Sequence, residues 1–114
     1  MIQSAAVADD VFRALADPTR RKVLERLAKG PASVTELAEP FAMKLPSFVQ
    51  HLAVLEQSRL VKSKKKGRVR VFRINPQRLR VAEDWLAEQR RLWETRLDQL
   101  DEYLQRLKEK EENP

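Results

Sequence analysis

The sequence predicts a mainly α-helical chain with one small β-hairpin and a long C-terminal helix. Three observations carry that prediction. Upstream of residue 58, apolar residues recur at helical spacing in short stretches punctuated by prolines, a glycine and capping side chains. Residues 59–73, RLVKSKKKGRVRVFR, alternate apolar and basic residues around a single glycine, as a short hairpin does. Beyond Asn75-Pro76, leucine and tryptophan return every seven residues as far as Leu107.

Composition sets the frame. A chain of 114 residues fits one domain of ordinary size, spanning 1–114. Hydrophobic content of 42% beside 35% charged residues suits a soluble, helix-rich protein. Cysteine is absent, which excludes disulfides, thiolate metal sites and cysteine nucleophiles. The N-terminal MIQSAAVADD has no positive charge and no long apolar run, so it does not read as a secretory signal. No stretch approaches the roughly 20 apolar residues of a membrane span. The expected location is the cytoplasm, and KEKEENP reads as a low-complexity tail.

Ala8, Val11, Phe12 and Leu15 predict a first helix ending near Asp17. Asp17-Pro18 opens a second, with a carboxylate at the N-cap and proline at the first helical position. Val23, Leu24 and Leu27 share its apolar face, and Gly30-Pro31 stops it. Ser33 and Glu36 form an S-x-x-E capping box for a third helix of two turns at most, with Val34, Leu37 and Ala38 as apolar contacts and Pro40 as terminator.

A fourth helix is predicted over about 44–57. Phe48, Leu52 and Leu55 stand at i, i+4 and i+7 and make one buried stripe. The opposite face presents Ser47, Gln50, Ala53, Val54 and Gln57, with His51 on a flank. Exposed helix faces usually carry Glu and Lys; this one is small or amide-bearing. A short helix, a tight turn and a helix with a compact polar face form the helix-turn-helix pattern. Ser and Gln let a helix sink into a major groove, and both hydrogen-bond base edges. A plain amphipathic helix facing water or another protein has the same pattern.

The hairpin, about 60–74, sharpens the choice. Together with Arg59 it holds eight basic residues and no acidic one: Arg59, Lys62, Lys64, Lys65, Lys66, Arg68, Arg70 and Arg73. The whole chain is +6, so everything outside nets −2, with 15 basic residues against 17 acidic. Charge concentrated on one hairpin suits a phosphate backbone, whose neutralisation releases counterions. The alternative is an edge hairpin whose lysines only block sheet-to-sheet aggregation.

A long polar helix is predicted over about 77–108. Leu79, Leu86, Trp93, Leu100 and Leu107 are spaced seven apart, Leu97 and Leu104 join them, and Trp85 and Leu92 broaden the stripe. Glu102 precedes Arg106 by four residues, the favourable order. So long a helix buries only part of itself on so small a domain. The sustained seven-residue spacing points to a helix–helix seam, most economically with its symmetry mate in a homodimer. Packing back on its own domain, with Trp85 and Trp93 in the core, is the alternative.

The order of these elements is that of a winged helix-turn-helix domain with a long C-terminal dimerisation helix. The segments ADPTRRKVLERL, VTELAEPFAMKLPSFVQHLAVLEQSRLV and KKKGRVRVFRI closely resemble the ArsR/SmtB-type bacterial transcription regulators. WLAEQRRLWETRLDQLDEYL resembles the branch with a long last helix and no metal ligands. The resemblance covers about residues 8 to 107. It implies a homodimer bound to an inverted-repeat operator in double-stranded DNA, commonly as a repressor. In that frame Lys44, Ser47, Gln50 and His51 are the expected DNA-reading residues. Lys64, Lys65, Lys66, Arg68 and Arg70 would hold flanking phosphates or enter the minor groove. Leu86, Trp93, Leu97, Leu100, Leu104 and Leu107 would form the dimer seam.

Three positions depart from the family's habit: Lys44 replaces a capping Ser or Thr, Val49 stands where a second serine is frequent, and Arg59 replaces a glycine after the helix. They bear on which operator is read. The family's metal sensors use cysteines in the third helix, or His and carboxylates on the last; here the third helix reads TELAEP and the last lacks histidine. The expectation is no metal, no cofactor and, if DNA release is signalled, an organic effector near Trp85 or Trp93, or a partner protein. A protein-interaction module docking through the long helix is the competing reading. An enzyme is disfavoured by one histidine, two glycines and no clustered carboxylates. RNA binding is disfavoured because Tyr103 and the Trp and Phe residues are expected on buried stripes rather than on a stacking surface.

Overall fold

A computed structural model describes residues 5–112. The first four residues of the N-terminal segment and the last two of the KEKEENP tail lie outside the described residues. Five helices and three strands follow in order: α1 (Ala5–Leu15), α2 (Pro18–Leu27), β1 (Ala32–Ser33), α3 (Val34–Ala38), α4 (Leu45–Gln57), β2 (Val61–Lys66), β3 (Val69–Ile74) and α5 (Leu79–Glu112). The chain divides into two compact units, one ending at Ala82 and the other beginning at Glu83.

Local chemistry sets the helix boundaries of the first unit. The Asp17 carboxylate accepts the Arg20 amide at 3.0 Å, and Pro18 sits in the first turn of α2, where a missing N–H costs nothing. Ser33 and Glu36 close the capping box in both directions, each at 3.2 Å. The Ser33 amide, the Ser33 hydroxyl and the nearby Arg26 together hold the Glu36 carboxyl below its ordinary value, against a smaller opposing effect of burial. At the far end of α4 the Leu60 amide reaches back to the Leu55 carbonyl (3.1 Å) and the Arg59 amide to Glu56 (3.0 Å). That pairing is a Schellman motif, and its buried Leu55 and Leu60 supply the usual apolar contact. The motif needs a left-handed residue, and Arg59 provides it at φ 64°.

Phe48, Leu52 and Leu55 are buried together with Val11, Val23, Leu27, Leu37, Val61 and Phe72 in one core. Phe41, in the turn before α4, lays its ring 5.3 Å from that of Phe48. The predicted hairpin forms, with Gly67 at φ 64° opening a two-residue turn, as type II′ geometry requires. A third strand joins it: β1 pairs antiparallel with β3, Ala32 opposite Phe72 and Ser33 opposite Val71, giving the order β1-β3-β2. A single 3₁₀ turn, Pro76–Arg78, leads into α5, so the long helix begins and ends slightly later than predicted. Val81 and Ala82 are its buried residues.

In the second unit α5 is a continuous helix with polar contacts along its own surface. Arg91 pairs with Glu88 at 2.6 Å, and the Thr95 hydroxyl donates to the Arg91 carbonyl at 3.0 Å. Leu86, Trp93, Leu97, Leu100, Leu104 and Leu107 are all exposed. Trp85, Leu92 and Tyr103 are exposed too, so within this chain both tryptophans and Tyr103 lie on an exposed helix surface and not on the buried stripes expected of them.

Candidate nucleic-acid interface

Helix α4 turns its apolar stripe inward and leaves Ser47, Gln50, Ala53 and Gln57 exposed. Lys44 occupies the N-cap in extended backbone and makes no side-chain capping bond, because an ammonium cannot accept from an amide. Its charge is left on the surface beside Ser47. Between Leu45 and Gln57 there is no Lys or Arg at all, and Glu56 is the single acid.

His51 is placed differently from the other three. Its ring is half-buried, with Nδ1 3.2 Å from Arg20 Nη1 and 3.7 Å from Asp17 Oδ2. A guanidinium only donates, so this contact requires the neutral ring with Nδ1 accepting, whereas a protonated ring would turn Nδ1–H toward the Asp17 carboxylate. Arg20 meanwhile donates to the Ala14 carbonyl (2.9 Å) and the Arg13 carbonyl (2.8 Å). One arginine therefore joins the end of α1, the start of α2 and the flank of α4. Burial raises the Asp17 carboxyl, but the Arg20 amide, the charges of His51 and Arg20, and the Thr19 amide outweigh it and hold the group below its ordinary value. His51 is thus tied through Nδ1 to Arg20 and Asp17 at the start of α2.

Strand register sorts the hairpin cations into two sets. The pairs are Lys62–Arg73, Ser63–Phe72, Lys64–Val71, Lys65–Arg70 and Lys66–Val69. Since opposed residues share a face and alternate residues do too, Lys62, Lys64, Lys66 and Arg73 stand on one face. Lys65 and Arg70 stand on the other, with Ser63. Arg68 lies in the turn. Lys62–Arg73 and Lys65–Arg70 are like charges placed directly opposite, an arrangement that is unfavourable without an anion nearby. Arg70 is additionally tied down: its Nη1 donates to the Ser63 hydroxyl at 2.9 Å, and that hydroxyl donates to the Glu56 carboxylate on α4. The single acid on α4 is thereby occupied at the base of the hairpin.

Lys62 and Arg73, counted in the basic run but not singled out as contacts, stand opposite each other and share a face with Lys64 and Lys66. The contact of Arg20 with His51 is not foreseeable from the sequence, since no local pattern connects α2 to α4. Leu45 and Val49 are exposed on α4, where the apolar pattern assigns them no role.

Among the described residues no group of three or more His, Cys, Asp or Glu side chains is placed to hold a metal ion. No helix among them is long and apolar enough to cross a membrane.

The chain resembles known proteins in sequence and in fold. Residues 15–64 match the model of a helix-turn-helix domain. The chain is 46% identical over 68 residues to the HTH-type transcriptional regulator Rv2034 of Mycobacterium tuberculosis, covering 60% of this chain and 64% of that protein. To the transcriptional repressor SdpR of Bacillus subtilis it is 33% identical over 78 residues, covering 68% of this chain and 87% of the other. The crystal structure of an ArsR family transcriptional regulator, RHA00566, superposes with a TM-score of 0.78 at 51% identity, over 82% of this chain and 97% of that one. A homodimeric winged helix-turn-helix DNA-binding domain from Mycobacterium bovis, Mb0332, superposes with a TM-score of 0.58 at 28% identity, over 79% and 91%.

Proposed function

Because the chain belongs to the ArsR family of winged helix-turn-helix transcriptional regulators, we propose that it acts as a homodimeric repressor on an inverted-repeat operator. Ser47 and Gln50 on α4 read base edges in the major groove, with Lys44 beside them and His51 held at the flank by Arg20. The β2–β3 hairpin grips the phosphates alongside. One observation carries this reading: an α4 surface without basic residues lies next to a hairpin that opposes cation to cation twice. The helix is built to discriminate and the hairpin to attract.

The division of labour follows from the faces. Lys62, Lys64, Lys66 and Arg73 form one cationic face able to follow a backbone, and Arg68 at the tip reaches furthest. Lys65 and the anchored Arg70 serve the other side. The seam on α5 sets two copies of α4 about 34 Å apart, one helical turn of duplex, which a lone subunit does not fix. The homodimeric state of the Mb0332 domain and the name of SdpR support the assembly and the repressor role. A cytoplasmic location accords with a duplex DNA target. With no thiol in the chain to take soft metals, the signal for release is an organic molecule or a partner protein.

Replacing Lys64, Lys65 and Lys66 with alanine tests the reading. Binding to every duplex should weaken, and the slope of log K against log salt should fall by about 0.9 for each phosphate no longer neutralised. An unchanged slope would remove the hairpin from the interface.

A further inference from the structure

We infer that Val49, backed by Ala53, reads thymine through its C5 methyl group, making an apolar line on α4 a determinant of operator sequence. The inference rests on the proposed binding of duplex DNA through α4. Val49 is 45% exposed in the middle of that helix. At 3.6 residues per turn Ala53 follows it one turn on, and the line they make runs beside Gln50 and Gln57.

The composition of the helix narrows what such a surface recognises. The commonest base-specific contact is Arg or Lys to guanine, and residues 45–57 hold neither. What they offer outward is amide, hydroxyl and methyl. A glutamine matches the donor and acceptor edge of adenine, and an apolar side chain matches the methyl of the paired thymine. Gln50 and Val49, adjacent in sequence and both exposed, suit the two halves of A·T-containing steps. The occupant is argued from continuity and charge: cations flank this face at Lys44 and on the hairpin, and the one nearby acid, Glu56, is engaged by Ser63. A polyanion with apolar groups in its groove fits that setting.

The test starts from a randomised duplex pool enriched on the purified full chain. In the recovered half-site each thymine is replaced singly by uracil, which deletes only the methyl. At one or two thymines per half-site, affinity should fall roughly fourfold, the effect of one buried methyl. The variant Val49→Ser should bind thymine and uracil duplexes equally at those positions. Its melting temperature serves to show that the exposed substitution leaves the fold intact. If no thymine is sensitive, or if Val49→Ser keeps the wild-type discrimination, the inference is overturned while salt-dependent duplex binding still stands. Failure to retain any duplex even at low salt would overturn it together with the proposed function.

Discussion

Helices α4 and α5 carry the same kind of apolar line and bury it to opposite extents. On α4, Phe48 and Leu55 are 0% exposed. On α5, Trp93 is 64% and Leu97 60% exposed. Both lines obey helical spacing, so periodicity identifies a face in each case without naming what covers it. For α4 the cover is its own unit: the core side chains, Phe41 over Phe48, Arg20 at His51, and Ser63 at Glu56. For α5 the proposed cover is a second copy of the same helix. A core stripe and a seam stripe differ in how their stability responds to protein concentration, and that difference can be measured.

The largest effect belongs to α4. Phe48→Ala should cost about 3–5 kcal/mol, because a fully buried ring leaves a cavity, and the loss should be the same at every protein concentration. Trp93→Ala combined with Leu97→Ala should leave the stability of dilute protein within about 0.5 kcal/mol of the parent, as surface changes do. It should instead abolish the part of stability that grows with concentration. Urea unfolding at two concentrations, with sedimentation of the double variant, separates the two behaviours. A double variant that remains as tightly dimeric as the parent would move the seam off this stripe.

What sequence made legible here was local. The Asp17-Pro18 start, the Ser33–Glu36 box and the α4 stripe each depend on residues within two turns of one another, and all three form as read. Strand β1 was not legible, because Ala32 and Ser33 are ordinary loop residues until Phe72 and Val71 arrive beside them. The anchoring of His51 was hidden for the same reason: Arg20 and Asp17 meet it only after α2 packs near α4. The hairpin cations were legible as a charge run, yet their division between two faces needed the register. Ser63, a lone hydroxyl among lysines, gave no sign of bridging Arg70 to Glu56.

The next prediction probes the polar hold on α4. Asp17→Ala should cost about 1 kcal/mol at neutral pH through loss of the N-cap. Asp17→Asn keeps a capping oxygen and should stay near the parent there. The two part company in acid. With its carboxyl held below the ordinary 3.8 in the folded chain, Asp17 contributes stability that is present above the unfolded value and is lost as pH falls through the folded one. Stability of the parent should therefore drop more steeply below about pH 4 than that of Asp17→Asn. Parallel acid curves for the two proteins would mean that the charge beside His51 and Arg20 adds nothing to the cap.

The smallest effect lies where α4 ends. Arg59 adopts φ 64°, a conformation that costs a side-chain-bearing residue about 1 kcal/mol and glycine almost nothing. Glycine loses more chain freedom on folding, which offsets part of the relief. Arg59→Gly should therefore stabilise the protein by less than about 1 kcal/mol, read by urea unfolding. The arginine also places a charge beside the hairpin cations. It borders a recess shared with Lys62 and Arg73, the cations that face outward on the hairpin with Lys64. The same variant should then neutralise one phosphate fewer, and its salt slope for duplex binding should fall by about 0.9. A protein that gains stability and keeps its full salt slope would show that Arg59 is tolerated at the turn and does not touch the duplex. A protein that gains stability and binds with a shallower slope would show strain retained at the helix end for the sake of a charge.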